Sequence, residues 1–140
     1  MPISVYINFN GNCRQAVEYY AKVFETEAPQ LMTFGDAPPN PEGELPEAAK
    51  DLIMHTRLNI NGSTVMFSDV FPGMPLVAGN NIILTVASGN MDKIKAWFTK
   101  LTEGGKVGMD LQETFWSKCY GSLTDKFGIE WQFNYDSQAG

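Results

Sequence analysis

Histidine and cysteine are nearly missing from this chain. His55 stands alone, and Cys13 and Cys119 are the two thiols. A single imidazole excludes any metal site or proton relay built on a pair of histidines. The two cysteines share no metal-ligand spacing, and the N-terminal MPISVYINF lacks the charged-then-apolar layout of a secretory signal, so reduced thiols in the cytoplasm are expected. Basic residues are also short: 10 Lys and Arg against 16 Asp and Glu leave a net charge of −6 and a pI near 4.6. With no basic stripe to release counterions, a nucleic-acid partner is excluded. No apolar run approaches the roughly 18 residues that span a bilayer, so no membrane partner is expected either. Glycine-motif chemistry is missing too: there is no Gly-x-Ser-x-Gly elbow, no Walker loop and no Gly-x-Gly-x-x-Gly after a strand.

What is present is a chain that nearly repeats itself. Phe9-Asn10-Gly11-Asn12, followed by Ala16, Tyr19-Tyr20, Lys22 and Val23, recurs 78 positions on (9 to 87) as Ala87-Ser88-Gly89-Asn90, Ile94, Trp97-Phe98, Lys100 and Leu101. A period that long, occurring twice, is no solenoid. It indicates two copies of one supersecondary module inside a single domain of residues 1–140: module one at about 1–78, with a proline-rich loop at 35–50, and module two at about 79–140.

Local patterns place the elements. Ile3–Asn10 alternates, with Val5, Ile7 and Phe9 on one face, and reads as a half-buried strand. Asn12 is the expected N-cap of a helix to Phe24 that buries Ala16, Val17, Tyr20 and Val23. Ala28–Phe34 is expected as a strand. Four prolines between Gly35 and Pro46 mark an exposed loop, read either as a surface insertion or as a lid. Met54–Ile60 and Ser63–Asp69 flank Asn61-Gly62, a two-residue hairpin turn whose central positions both take positive φ. In the second copy, strands are expected at Asn81–Ala87, Lys106–Gln112, Ser117–Thr124 and Ile129–Asn134, with a helix from Asn90 to Leu101 ended by Gly104-Gly105. Each half is then β-α-β-β-β, and the class is α+β. The polar faces of the strands, such as Glu130, Gln132 and Asn134, suit a cavity enclosed by eight curling strands, with one helix per module outside.

These residues resemble the vicinal oxygen chelate superfamily of glyoxalases, bleomycin-resistance proteins and dioxygenases, and within it the PhnB-like branch. The resemblance rests on Phe9-Asn10-Gly11-Asn12 with Glu18-Tyr19-Tyr20, on His55 before Met66-Phe67-Ser68-Asp69, and on Phe115-Trp116 with Tyr120-Gly121, Thr124-Asp125-Lys126-Phe127-Gly128 and Trp131. It implies a glyoxalase/bleomycin resistance-like fold, a homodimer and a small-molecule ligand in the cavity between modules. Catalytic members of the superfamily hold a divalent metal through four side chains. Carried over, those positions fall near Ser4 or Tyr6, near Met66 or Ser68, at Asn81 and at Gln132. Three of the four lack any residue type the family uses, so no metal or other cofactor is expected. Relatives of the branch have carried a demethylubiquinone methyltransferase label, whereas the glycine loop of an ordinary S-adenosylmethionine site is missing here.

The candidate ligand-binding residues are His55, Trp116, Tyr120, Gln132 and Asn81; none is assigned a catalytic role. His55 reads as a hydrogen-bonded structural residue or as a ligand contact and general base. Trp116 and Tyr120, four apart on an expected strand, share a face as core filler or as cavity wall. Trp131 is expected to pack under a helix, Cys119 to be buried, and Cys13, near a helix start, to have a modestly lowered pKa. The leading reading is a PhnB-like binder of an unassigned small molecule, with catalysis left open. The alternatives are a metal-dependent lyase or dioxygenase with atypical ligands, and a drug-sequestering resistance protein.

Overall fold

The computed structural model describes residues 3–38 and 43–139. It divides into two compact units, Met1–Val77 and Ala78–Gly140. In unit one the order is β1 (Val5–Phe9), α1 (Cys13–Val23), β2 (Met32–Thr33), β3 (Ile53–Ile60) and β4 (Ser63–Asp69). In unit two it is β5 (Leu84–Ser88), α2 (Met91–Thr102), β6 (Lys106–Gln112), β7 (Tyr120–Thr124) and β8 (Glu130–Tyr135). The two sheets have the same strand order, β1-β4-β3-β2 and β5-β8-β7-β6. In each, the first and last strands pair in parallel and the remaining pairs are antiparallel. The architecture is α+β, two βαβββ units, as the alternation and the repeat imply.

Each helix buries one stripe against its sheet. Cys13, Ala16, Val17, Tyr20 and Val23 are buried on α1; Ile94, Trp97, Phe98 and Leu101 are buried on α2. The repeat is visible in the packing. The Tyr20 ring lies 5.8 Å from Phe67, and its counterpart Phe98 lies 6.0 Å from Phe133. The β3–β4 hairpin turns at Asn61 and Gly62, with φ of 50° and 89°, the doubly positive geometry that Asn-Gly favours.

The repeat is not uniform in step. The helices correspond at 78 positions, but the strands correspond at 79. Phe9 pairs Asp69 as Ser88 pairs Tyr135, and Phe9 and Ser88 are both buried. A strand shifted by one residue presents its opposite face, so the expected overlay of Ile3–Asn10 on Asn81–Ala87 is one residue out of register. The turn before α1 holds one more residue than the turn before α2, and Gly11 with φ of 92° absorbs the difference.

Four expected strands are shorter than the pattern suggested, Ile3–Asn10 among them, which narrows to Val5–Phe9. Ala28–Phe34 contracts to Met32–Thr33, because Pro29 has no N–H for a ladder and disfavours regular pairing around it. Asn81–Ala87 begins only at Leu84, which pairs Trp131. Since β8 starts at Glu130, Asn81 and the exposed Ile82 have no ladder to join. Ser117–Thr124 begins at Tyr120, because the buried Ser117 hydroxyl donates to the carbonyls of Cys119 and Tyr135 and so bends the chain before the strand. Of the proline-rich loop, residues 39–42 lie outside the described residues. Its flanks are tied together at the base, where Gly35 N–H donates to the Lys50 carbonyl at 3.0 Å and Phe34 N–H to that of Leu52 at 3.0 Å.

Asn12 occupies the N-cap position of α1, but its side chain makes no capping bond. Asp69 caps instead. Its buried carboxylate accepts from Gly11 N–H at 2.8 Å and Cys13 N–H at 3.0 Å on one oxygen, and from Ile53 N–H at 2.9 Å on the other. In unit two the cap is local: Asn90 Oδ1 accepts from Lys93 N–H at 3.1 Å. Asp69→Asn keeps one acceptor oxygen but turns an NH₂ group toward at least one backbone donor. We expect it to lose about 3 kcal/mol of stability, with the melting midpoint falling by roughly 10 °C. Asn12→Ala is expected to change stability by less than about 0.5 kcal/mol. Thermal melts of the two variants check this; an Asp69→Asn midpoint matching wild type would contradict it.

Candidate functional site

The helix-free face of the second sheet gathers the polar and aromatic candidates. On β8, Trp131 and Phe133 point under α2 and are buried, so Gln132 projects from the opposite face. The Tyr120 hydroxyl donates to Gln132 Oε1, and Gln132 Nε2 donates to Thr85 Oγ1 at 2.7 Å. A side-chain chain thus runs from β7 through β8 to β5. Tyr120 also meets Trp116, ring to ring at 5.3 Å and 70°, and Trp116 meets Phe115 at 4.8 Å and 84°. Trp116 is 54% exposed and Phe115 97% exposed. Trp116 does not lie on the strand with Tyr120; it precedes it in the turn shaped by Ser117. The rings meet because of that turn and not because of strand periodicity.

The other two candidates lie elsewhere. Asn81 is an exposed coil residue and joins no network with Tyr120 or Gln132. The residue that does occupy the equivalent place on β5 is Thr85, which pairs Gln132 as Tyr6 pairs Met66. The one-residue shift of the repeat hid it from sequence reasoning. His55 belongs to unit one, where the Tyr6 hydroxyl lies 3.2 Å from its Nδ1 and the two rings are 5.8 Å apart. His55 borders an open groove of about 1270 Å³ between β3 and the segment Thr26–Met32. Arg57 and Asn59 border the same groove. Alternation along β3 makes both the polar-face partners of His55, although neither is among the candidate ligand-binding residues.

The metal positions implied by the resemblance now read Tyr6, Met66, Thr85 and Gln132. These supply a phenol, a thioether, a hydroxyl and an amide, with neither imidazole nor carboxylate among them. Among the described residues no group of three or more His, Cys, Asp or Glu could hold a metal ion. The donor set does not fit a divalent cation of the superfamily's type.

One further motif proves architectural. Asp125, buried within Thr124-Asp125-Lys126-Phe127-Gly128, accepts from Phe127 N–H at 2.8 Å and Ile129 N–H at 3.0 Å. Its second oxygen accepts from Trp131 Nε1 at 2.9 Å. The motif is thus the turn between β7 and β8, locked to the core tryptophan. Cys13 differs from expectation. Burial first, and the Asp69 carboxylate second, push its thiol up from 9.0 to about 12, overriding any lowering from the helix start.

Comparison with known proteins gives a consistent outcome. The family model described as 3-demethylubiquinone-9 3-methyltransferase matches residues 2–134. Protein YjdN of Escherichia coli is 36% identical over 148 residues, covering 99% of this chain and 97% of its own. Protein PA1353 from Pseudomonas aeruginosa is 33% identical with a TM-score of 0.84, over 97% of this chain and 98% of that one. A PhnB protein from Bacillus cereus is 22% identical with a TM-score of 0.73, over 97% of this chain and 100% of that one. Glyoxalase/bleomycin resistance/dioxygenase proteins from Burkholderia phytofirmans and Frankia share the fold at TM-scores of 0.59 and 0.61. At 13% and 10% identity that likeness shows the fold alone.

Both cysteines are buried. With the Cys13 thiol near 12, its thiolate is scarce at pH 8, and a thiol-disulfide reagent such as DTNB is expected to react with neither cysteine until denaturant is added. A thiol raised in the folded state supports stability below its ordinary value of 9.0 and loses that support as pH rises from there toward about 12. Urea melts across that range should show the decline, and rapid labelling of one thiol in the native protein would contradict the assignment.

Proposed function

Because the chain belongs to the 3-demethylubiquinone-9 3-methyltransferase family in its PhnB-like form, we propose that it is a cytoplasmic homodimeric binder of a small, partly aromatic molecule, acting without a metal. The observation that carries this reading is the Phe115-Trp116-Tyr120 ring series, exposed at Phe115 and Trp116, beside the Tyr120-Gln132-Thr85 hydrogen-bond chain. Large aromatic rings left in water are unusual unless something covers them. Here they adjoin polar groups that already hold one another in place. A flat apolar wall with a few fixed hydrogen-bonding groups is the usual make-up of a small-molecule site.

The chemistry available on this face is recognition. The Gln132 amide is oriented by its two partners, leaving one N–H and one lone-pair direction for a ligand, and Trp116 and Tyr120 offer ring edges and faces for stacking. No nucleophile–base pair is present on it, which favours binding over covalent turnover. For the homodimer, the support is exposed apolar side chains at Val77 (92%) and Ile82 (76%), which a second copy would cover. Among the described residues no helix is long and apolar enough to cross a membrane.

Trp116→Ala separates a binding wall from a packing role. A half-exposed ring is expected to cost under about 1 kcal/mol of stability on removal, against roughly 3–5 kcal/mol for a core tryptophan. Affinity for an aromatic ligand returned by a thermal-shift screen is expected to fall at least about tenfold. A large drop in melting midpoint with affinity unchanged would assign Trp116 to packing and remove the proposed site. Sedimentation at micromolar concentration should give the mass of two chains; a single-chain mass would remove the dimer.

A further inference from the structure

The first unit carries a concentration of hydrogen-bond donors that the binding reading above does not use. β1, β3 and β4 contain a single acid, Asp69, and it is turned to the helix side and occupied by three backbone N–H groups. The opposite face of these strands is therefore free of carboxylate, in a chain with 16 acids and a net charge of −6. That face holds the chain's one histidine, and two positions along β3 it holds Arg57.

The Arg57 side chain forms no ion pair or hydrogen bond among the described residues, although acids outnumber bases in the chain. His55 is oriented. The Tyr6 hydroxyl lies 3.2 Å from Nδ1; in the tautomer where that hydroxyl donates, the ring hydrogen sits on Nε2, which is then a donor. Residues i and i+2 of a strand project from the same face about 7 Å apart, so the His55 donor and the Arg57 guanidinium flank one stretch of the groove. Leu31 and Met32 give the groove apolar surface. Its two carboxylates, Glu27 and Asp36, come from the other wall. Asp36 is already engaged, accepting from Thr33 N–H at 3.0 Å in the turn that follows β2.

We propose that this groove binds a small organic carboxylate, with the planar Arg57 guanidinium pairing both carboxylate oxygens, His55 Nε2–H adding a third donor, and the apolar side chains covering the ligand's carbon body. Arginine's fork matches a carboxylate in two parallel hydrogen bonds, which a lysine ammonium cannot reproduce. Groove space far exceeds a single carboxylate group, so the ligand carries an apolar part. This inference does not rest on the ligand site proposed for the second unit.

The test titrates the full chain with benzoate, followed by amide NMR, and compares benzamide and benzylamine, which share its ring but not its charge. Benzoate is expected to bind more tightly than either, with shifts centred on β3. Arg57→Gln, an exposed position whose change leaves folding intact, should weaken benzoate at least tenfold. Arg57→Lys should recover only part of that loss, and His55→Gln or Tyr6→Phe should weaken it about threefold. Benzamide or benzylamine binding as well as benzoate overturns the proposal. So does an unchanged benzoate affinity in Arg57→Gln, or no saturable benzoate binding below about 20 mM. Benzoate binding lost in Trp116→Ala but kept in Arg57→Gln assigns that ligand to the second unit, which overturns this inference while supporting the other.

Discussion

A single buried carboxylate joins three parts of the first unit that are far apart in sequence. Asp69 ends β4, and its two oxygens take backbone hydrogens from the turn before α1, from the first residue of α1, and from the start of β3. Without it, the buried N–H groups of Cys13 and Ile53 would have no acceptor, at a cost of roughly 1–3 kcal/mol each, and the half-buried one of Gly11 would lose its partner. The contact therefore sets where the helix begins relative to both strands beneath it. Unit two meets a similar need at its other end. There Asp125 gathers two backbone N–H groups and the Trp131 indole, and so fastens the β7–β8 turn to the core. In both units a charged group is tolerated inside because backbone N–H groups, joined in unit two by the Trp131 indole, are aimed at it.

This division of labour explains why the family signatures cluster where they do. The Gly-Asn turn, the strand ending in Ser68-Asp69 and the Thr-Asp-Lys-Phe-Gly turn are structural devices that hold helix to sheet and strand to strand. They identify the fold and say little about the ligand. What distinguishes this chain chemically lies on the helix-free faces: the ring series at 115, 116 and 120, the oriented Gln132 amide, and the His55–Arg57 pair. None of these carries the charge-rich donor set of a divalent metal site.

Much was legible in the sequence because it was local. Alternation along Met54–Ile60 named the buried and polar faces of β3, Asn61-Gly62 named its turn, and the 3.6-residue stripes named every buried residue of α2. The placement of Trp131 under a helix followed from the same period-two logic. Local patterns failed where a strand's length depends on its neighbour. Asn81 looked like the start of a strand because Ile82, Ile83 and Leu84 are apolar, yet β8 offers a partner only from Leu84 onward. Trp116 and Tyr120 were paired for the wrong reason, since the Ser117 turn and not a shared strand brings their rings together.

The amino-acid sequence by itself determined the two-module plan, the helix stripes, the hairpin turn and the family, since each is written in contacts a few residues long or in a repeat that can be read directly. Tertiary structure alone decided which acid caps α1 and which β5 residue stands beside Gln132. Those choices rest on partners 47 to 58 positions away along the chain, as in Gln132 with Thr85 and Gly11 with Asp69. A hydrogen bond across that distance is set by sheet register, and a one-residue shift in register turns every side chain to the other face.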